Sequence, residues 1–293
     1  MAKKPIILAA LPVAFQDDGE ISIEGNRSIL EKCVASGVDG AFILGTTGEF
    51  PALSEEERGT LVRLSLDILR HKQVVVHVGA ASLYQVGRLI RQARALGARY
   101  VAAITPYYLP STDEAVLHFY SRISDMTDGM GVYVYIFRER TGISVSPELM
   151  ARIARLPNII GVKISGESIE TIGAYRRLLP DGFQVLTGSD REIGRLHEFG
   201  ADGVISGIAS VYPEPFVAMA EAVAAGIEDR SELQSHINAT VDGLLGDIER
   251  LKTGLRLQGI PAGHARMAVG MPDAATMALL AELNRKYGPV KRA

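Results

Sequence analysis

Residues 159–179, "IIGVKISGESIETIGAYRRLL", contain in order the two kinds of segment from which most of the chain is built. The first seven residues are largely apolar at consecutive positions, which is typical of a strand covered on both faces. From Ser168 to Leu179 the apolar residues recur at helical spacing. This stretch therefore predicts a buried strand followed by a helix that covers it.

The same alternation recurs on both sides of this stretch. Apolar runs typical of strands are "IILAALPVAF", "GAFILG", "QVVVHVG", "YVAAITP", "VYVYIF", "IIGVKIS", "FQVLTG" and "DGVISG". Helical periodicity follows these runs, for example in residues 23–36, 54–70, 84–96, 113–125, 147–155, 168–179 and 190–199. Ser54 before three acids and Ser146 before Pro147 are typical helix starts.

The order of these segments predicts an α/β protein with a parallel sheet. A closed (β/α)8 TIM barrel accounts for eight successive strand and helix units better than an open sheet does. We assign residues 1–211 to the barrel core and residues 212–293, which are helical with few strand signals, to C-terminal helices packed on it.

Composition limits the classes of function. The chain has 293 residues, 47% of them hydrophobic, and a net charge of -3, which disfavours a nucleic-acid partner. The N-terminal apolar stretch is short and interrupted by proline, so we expect no membrane partner and a cytoplasmic protein. The single cysteine, Cys33, is expected to be a buried hydrophobe, and scattered histidines predict neither a metal nor another cofactor.

One lysine, Lys163, interrupts an apolar strand. In a barrel of this kind, chemistry occurs at the C-terminal ends of the strands, and burial there would depress the pKa of an amine and make it nucleophilic. Such an amine can form a Schiff base with a carbonyl, whereas the alternative is a lysine that extends to the rim or pairs with a buried acid.

Other unusual residues follow neighbouring strands and converge on the same end. Tyr135, on the strand before Lys163, could relay protons, or could be an ordinary strand residue beside Tyr133. The segment "GTTGE", residues 45–49, offers hydroxyls and backbone N–H groups suited to a carboxylate, or could be a plain turn. The presence of all these residues at one end favours the catalytic alternative for Lys163.

Four segments in order and spacing carry a resemblance to a known family: "GVDGAFILGTTGEFPALSEEER", "LGARYVAAITPYY", "RTG" and "NIIGVKISG". The chain resembles the dihydrodipicolinate synthase and N-acetylneuraminate lyase family of Schiff-base lyases and aldolases on a (β/α)8 barrel. The resemblance extends from about "LPVAFQDDGEI" to "GVISGIASVYP".

The resemblance implies a role for each matching residue. Lys163 would form the imine and Tyr135 would shuttle protons, with Thr47 linking Tyr135 to Tyr108, a residue that family members often lend across a dimer interface. Thr46 and Thr47 would receive the carboxylate of pyruvate or a related 2-oxo acid. Arg140 would bind the carboxylate of the aldehyde, and Ile205 would contribute backbone to the pyruvate pocket. A homo-oligomer, a dimer or a tetramer built as a dimer of dimers, is also implied.

Two departures from the family pattern keep alternatives open. The chain has "YIFRER" where the family usually has "YNxP", and Ile164 and Ser165 follow the lysine. The first hypothesis is a synthase that condenses pyruvate with an aldehyde such as aspartate semialdehyde. The others are an aldolase or dehydratase of a sugar-derived 2-oxo acid and a noncatalytic 2-oxo acid binder. Arg138 is expected on the same side as Arg140, or turned outward.

Overall fold

A closed barrel of eight parallel strands is the centre of the computed structural model, which describes residues 3–288. Each strand pairs with the next, and β1 also pairs with β8 to complete the ring. The strands are β1 Ile6–Ala10, β2 Gly40–Ile43, β3 Gln73–His77, β4 Tyr100–Ile104, β5 Gly131–Phe137, β6 Ile159–Ser165, β7 Gln184–Thr187 and β8 Gly203–Ser206. The predicted fold class and all eight predicted strands are confirmed.

Helices follow the strands and cover the barrel. They are α1 Ile23–Ala35, α2 Glu55–Ile68, α3 Leu83–Ala95, α4 Asp113–Met126, a single turn α5 Arg138–Thr141, α6 Pro147–Ile153, α7 Ile169–Leu178 and α8 Glu214–Ala224. Ser54 caps α2 in a reciprocal capping box with Glu57, and Ser146 caps α6, as predicted. The predicted helix at 190–199 is instead a 3-10 segment, Asp190–Glu198, with a kink at Arg195.

The chain continues beyond the barrel into α9 Ser231–Leu244, α10 Ile248–Leu257 and α11 Ala274–Tyr287. These helices pack on one another, and α9 also contacts α8 and the 3-10 segment that follows β7. Because α8 contacts β1, it belongs to the layer that surrounds the barrel, and the domain division at residue 211 stays a prediction. No helix within residues 3–288 is long and apolar enough to cross a bilayer.

Two apolar layers hold the barrel together. The outer layer lies between strands and helices and contains Cys33, which is 4% exposed, as its assignment to the core predicted. Burial raises the pKa of its thiol to about 11, so this cysteine behaves as a small hydrophobe. The inner layer fills the barrel and includes both Tyr133 and Tyr135, so these two residues share one face of β5.

An irregularity in β6 determines which way Lys163 points. The pairing with β5 shifts register here, because Val132 lies opposite Ile159 whereas Tyr133 lies opposite Gly161. Ile160 packs against the inner layer, whereas Val162 belongs to the outer one. In an uninterrupted strand these two would share a face, so the extra residue reverses the alternation and directs Lys163 into the barrel.

Glycine is required at this bulge. A Cβ atom on Gly161 would lie 2.7 Å from the ring of Tyr133 and 2.8 Å from the carbonyl oxygen of Gln184. Both neighbours are held by strand pairing, so neither can move aside without cost.

We expect Gly161→Ala to lower the free energy of unfolding by about 1–3 kcal/mol, because an added methyl group overpacks the barrel interior. Urea unfolding measures the change. Gly270→Ala is the matched control, since a Cβ at Gly270 meets no atom within 4 Å. Equal stability of the two variants would show that the bulge tolerates a side chain.

Candidate active site

Lys163 lies inside the barrel near its mouth, the end formed by the C-terminal ends of the strands. The residue is 6% exposed, and its Nζ lies 4.2 Å from the centroid of the Tyr135 ring and 4.4 Å from that of Phe42. Among the described residues it forms no ion pair such as the one between Lys252 and Glu49. The amine is therefore enclosed by aromatic faces instead of being neutralised by a carboxylate.

Tyr135 lies directly opposite Lys163 in the paired strands β5 and β6. Its hydroxyl is joined to Thr46 Oγ1 by a hydrogen bond of 3.1 Å. The contact that we predicted for Thr47 is thus made by Thr46. After β2 the chain enters a left-handed conformation at Leu44, and Thr47 lies instead beside Gly207, at the end of β8.

The two tyrosines after β4 differ in environment. Tyr108 has a positive φ of 79° and is 91% exposed, so within the described chain it is not brought to Tyr135 as the sequence analysis implied. A strained backbone turns its ring outward. Tyr107, which sequence analysis did not single out, is half-buried at the mouth and meets the ring of Phe50 edge-on at 5.9 Å.

The two arginines after β5 lie on a helical turn and not on an extended strand. Both Arg138 and Arg140 are exposed. Because residues two apart on a helix point in different directions, the two side chains do not share one side, and the exposed Arg138 fits the alternative in which it turns outward. The guanidinium of Arg140 lies 5.5 Å from the centroid of the Phe137 ring and lines a cavity at the mouth that also reaches Thr46.

The end of β8 supplies the opposite wall. Ile205, at 3% exposure, belongs to the inner layer, and the next residue, Ser206, is buried. Ser206 Oγ accepts a hydrogen bond from the backbone of Ala209 at 3.0 Å. The Ser206 hydroxyl also lies close enough to the carboxyl of Asp190, in the segment "TGSD" that follows β7, to lower its pKa.

Asp190 is a half-buried acid near Lys163 that the sequence did not distinguish. Its Oδ1 is buried and has no hydrogen-bond partner among the described residues. Burial raises the pKa of this carboxyl to about 7, although the Ser206 hydrogen bond and the charges of Lys163 and Arg191 oppose the shift. Near neutral pH the group can therefore hold or release a proton beside the amine.

His77 is a second buried titratable group that sequence analysis missed, although it interrupts the apolar strand β3 much as Lys163 interrupts β6. Its Nδ1 donates to the Leu44 carbonyl at 3.0 Å, and its Nε2 accepts from the Ile104 N–H at 3.2 Å. Burial, with a smaller contribution from the charge of Arg58, lowers the pKa of His77 well below its usual value. The imidazole is neutral, and its bond to the Leu44 carbonyl stabilises the turn that carries Thr46.

The far end of that turn is held by a buried ion pair. Glu49, the acid of "GTTGE", lies 2.8 Å from Lys252 Nζ on α10, and both side chains are fully buried. Glu49 also accepts a hydrogen bond from the Met267 N–H at 2.7 Å, and Lys252 donates to the His264 carbonyl at 2.7 Å. The C-terminal helices thus fix the segment from which Thr46 reaches Tyr135.

We expect Glu49→Gln and Lys252→Met each to lower the free energy of unfolding by about 3–5 kcal/mol, because each leaves a buried charge without its partner. The double variant should lose less than the sum of the single losses. Chemical unfolding of all three measures the coupling. Glu114→Gln, which breaks an exposed pair with Arg152, should cost less than about 1 kcal/mol and serves as the control.

The carboxyl of Asp190 should make stability depend on pH. Its pKa is higher in the folded protein than in the unfolded chain, so the folded state binds more protons between about pH 4 and pH 7. Relative to Asp190→Asn, the wild type should therefore lose stability as pH rises through this window, by up to about 1.4 kcal/mol per pH unit. Thermal unfolding across pH tests this, with Asp17→Asn, at an exposed site, as control. A constant difference from Asp190→Asn would contradict the shift.

Known proteins resemble this chain over nearly its whole length. The model of the dihydrodipicolinate synthetase family matches residues 4–276. A 4-hydroxy-tetrahydrodipicolinate synthase from Thermotoga petrophila is 32% identical over 280 residues, which cover 92% of this chain and 95% of the relative. The structure of dihydrodipicolinate synthase from Thermotoga maritima matches with a TM-score of 0.90 at 30% identity, covering 98% of this chain and 99% of that one.

A structure of N-acetylneuraminate lyase from Mycoplasma synoviae has a TM-score of 0.87 at 23% identity, covering 97% of this chain and 98% of that one, and shows the shared fold alone. The family match spans the whole barrel, including the buried lysine of β6 and the tyrosine opposite it. The chain therefore belongs to the dihydrodipicolinate synthetase family of class I aldolase-type lyases.

Proposed function

We propose that this protein condenses pyruvate, or a related 2-oxo acid, with an aldehyde through a Schiff base on Lys163. The observation that carries the proposal is the position of the Lys163 amine, enclosed between the rings of Phe42 and Tyr135 and in no ion pair with an acid of residues 3–288. An amine in this setting needs little desolvation before it attacks a carbonyl. Aspartate semialdehyde is the aldehyde that the family resemblance implies.

The neighbouring groups support each stage of such a reaction. Tyr135 and Thr46, linked at 3.1 Å, form a hydroxyl pair that can pass a proton between the departing carbinolamine oxygen and the mouth. Thr47 and the backbone near Ile205 lie on the wall where the carboxylate of pyruvate would bind, because both border the end of β8. A noncatalytic binder would need neither the amine nor the hydroxyl pair.

Other properties of the proposal rest on the family resemblance and on composition. The protein works in the cytoplasm with no cofactor or metal, because an imine supplies the electron sink that the reaction needs. It forms a homo-oligomer, a dimer or a homotetramer, in which Tyr108 of one copy reaches the mouth of another. The 91% exposure of Tyr108 in the single chain is consistent with this role.

We expect pyruvate and borohydride together to add one reduced adduct to the peptide that contains Lys163, measured by mass spectrometry. Lys252 is an internal control, because it is also buried but is paired with Glu49 and should stay unmodified. Lys163→Arg, which retains a positive charge, should abolish the adduct. A folded wild-type protein without the adduct, or one modified only at other lysines, would remove the proposed mechanism.

A further inference from the structure

A cavity of about 250 Å³ opens beside the proposed imine site. Its inner end is formed by Thr46 and Ile104, which adjoin the Tyr135 hydroxyl and the ring of His77. Its walls come from the segment after β2, the loop after β4, and the C-terminal part of the chain. We name it the aldehyde chamber, and its apolar lining residues are Phe50, Pro51, Ile104, Ile248, Met267 and Val269, beside the ring of Tyr107.

The aldehyde chamber has little polar capacity. Among the described residues that line it, Arg140 alone carries a formal charge. The Tyr107 hydroxyl is the other polar group available, because Thr46 is already bonded to Tyr135 and the Thr141 hydroxyl accepts a bond of 3.0 Å from Thr105. A ligand that brings an ammonium or several hydroxyls would leave those groups without partners, which costs free energy on binding.

We infer that the second substrate is an aldehyde with an aromatic or branched aliphatic body and no ammonium group. This inference rests on the proposed function and specifies the substrate class of the same site. An apolar body gains the free energy of burial against Phe50, Ile248 and Val269, in proportion to the area removed from water. The amino group of aspartate semialdehyde finds no carboxylate on this lining.

The same lining disfavours a sugar-derived aldehyde. Each hydroxyl of such a substrate needs a donor or acceptor, and the walls formed by Ile248, Met267 and Val269 offer side chains without strong ones. The exposed guanidinium of Arg140 marks the polar end of the chamber, where it can meet one anionic group. A single anion on an otherwise apolar aldehyde is therefore compatible with the chamber.

The reaction with such an aldehyde balances without a further reagent. Loss of a methyl proton from the Lys163 imine of pyruvate leaves an enamine, whose terminal carbon attacks the aldehyde carbon and forms one C–C bond. The aldehyde oxygen takes up a proton, and water then hydrolyses the restored imine. Pyruvate and aldehyde become one 4-hydroxy-2-oxo acid, and the reverse reaction cleaves the same bond.

The test compares turnover of four aldehydes with pyruvate by the purified protein: benzaldehyde, 3-methylbutanal, aspartate semialdehyde and glyceraldehyde. We expect kcat/KM to be at least about tenfold higher for the first two, since burying a few methylene equivalents supplies that factor. Equal or faster turnover of aspartate semialdehyde or glyceraldehyde would overturn the inference. So would the absence of turnover with all four.

The pyruvate adduct on Lys163 distinguishes failure of the inference from failure of the proposed function. If the adduct forms but apolar aldehydes are not preferred, only the inference fails. If no adduct forms, the proposed function fails and the inference falls with it. Adduct formation therefore accompanies every assay.

Val269→Asp places a carboxylate in the chamber and should lower kcat/KM for benzaldehyde by about tenfold or more, because the charge must be desolvated against an apolar ligand. Val34→Asp, which adds the same charge at an exposed position on α1 outside the chamber, is the matched control and should leave the kcat/KM for benzaldehyde unchanged. Formation of the pyruvate adduct by both variants shows that they fold. Unchanged benzaldehyde turnover in Val269→Asp would show that the aldehyde does not occupy this chamber.

Discussion

The bulge in β6 is the constraint on which the site depends. Side chains on a strand alternate between its two faces. Lys163 therefore faces into the barrel because its neighbours Val162 and Ile164 face the outer layer. The extra residue at Ile160 and Gly161 sets this alternation, and it places Lys163 opposite Tyr135. Gly161 is the residue that permits it, because Tyr133 and the Gln184 carbonyl leave no space for a Cβ atom. The backbone of β6 thus determines the position of the Lys163 side chain.

The segment after β2 is held at both of its ends by buried side chains. His77 holds the carbonyl of Leu44 at one end, and Lys252 holds the carboxylate of Glu49 at the other. Between them, Thr46 reaches the Tyr135 hydroxyl. A buried ion pair contributes little net stability compared with an apolar pair of similar size, but it allows few alternative arrangements. The C-terminal helices therefore contribute to the site by positioning this segment, although within the described chain Lys252 itself is buried away from the chamber.

Burial acts on the charged forms of two titratable groups near Lys163. His77 is neutral at ordinary pH, and Asp190 releases its proton only near pH 7. With His77 uncharged, the field around Lys163 is dominated by aromatic faces and by a carboxyl that changes charge near neutrality. The family to which the chain belongs performs class I aldolase-type chemistry, and such an interior suits an amine that must alternate between protonated, free and imine states.

Local residue patterns determined the eight strands, most of the helices around them, and the convergence of Lys163, Tyr135 and the "GTTGE" segment on one mouth. Apolar periodicity depends on neighbours along the chain, and the order of the strands follows from their alternation with helices. Only the tertiary structure decided which threonine meets Tyr135, the direction of Tyr108, the burial of His77 and the approach of Asp190 to Lys163. The same holds for the Glu49–Lys252 pair, whose members lie far apart in sequence. These features depend on the register between strands and on left-handed backbone at Leu44 and Tyr108, which arise from packing between distant segments and leave no periodic signal in the sequence.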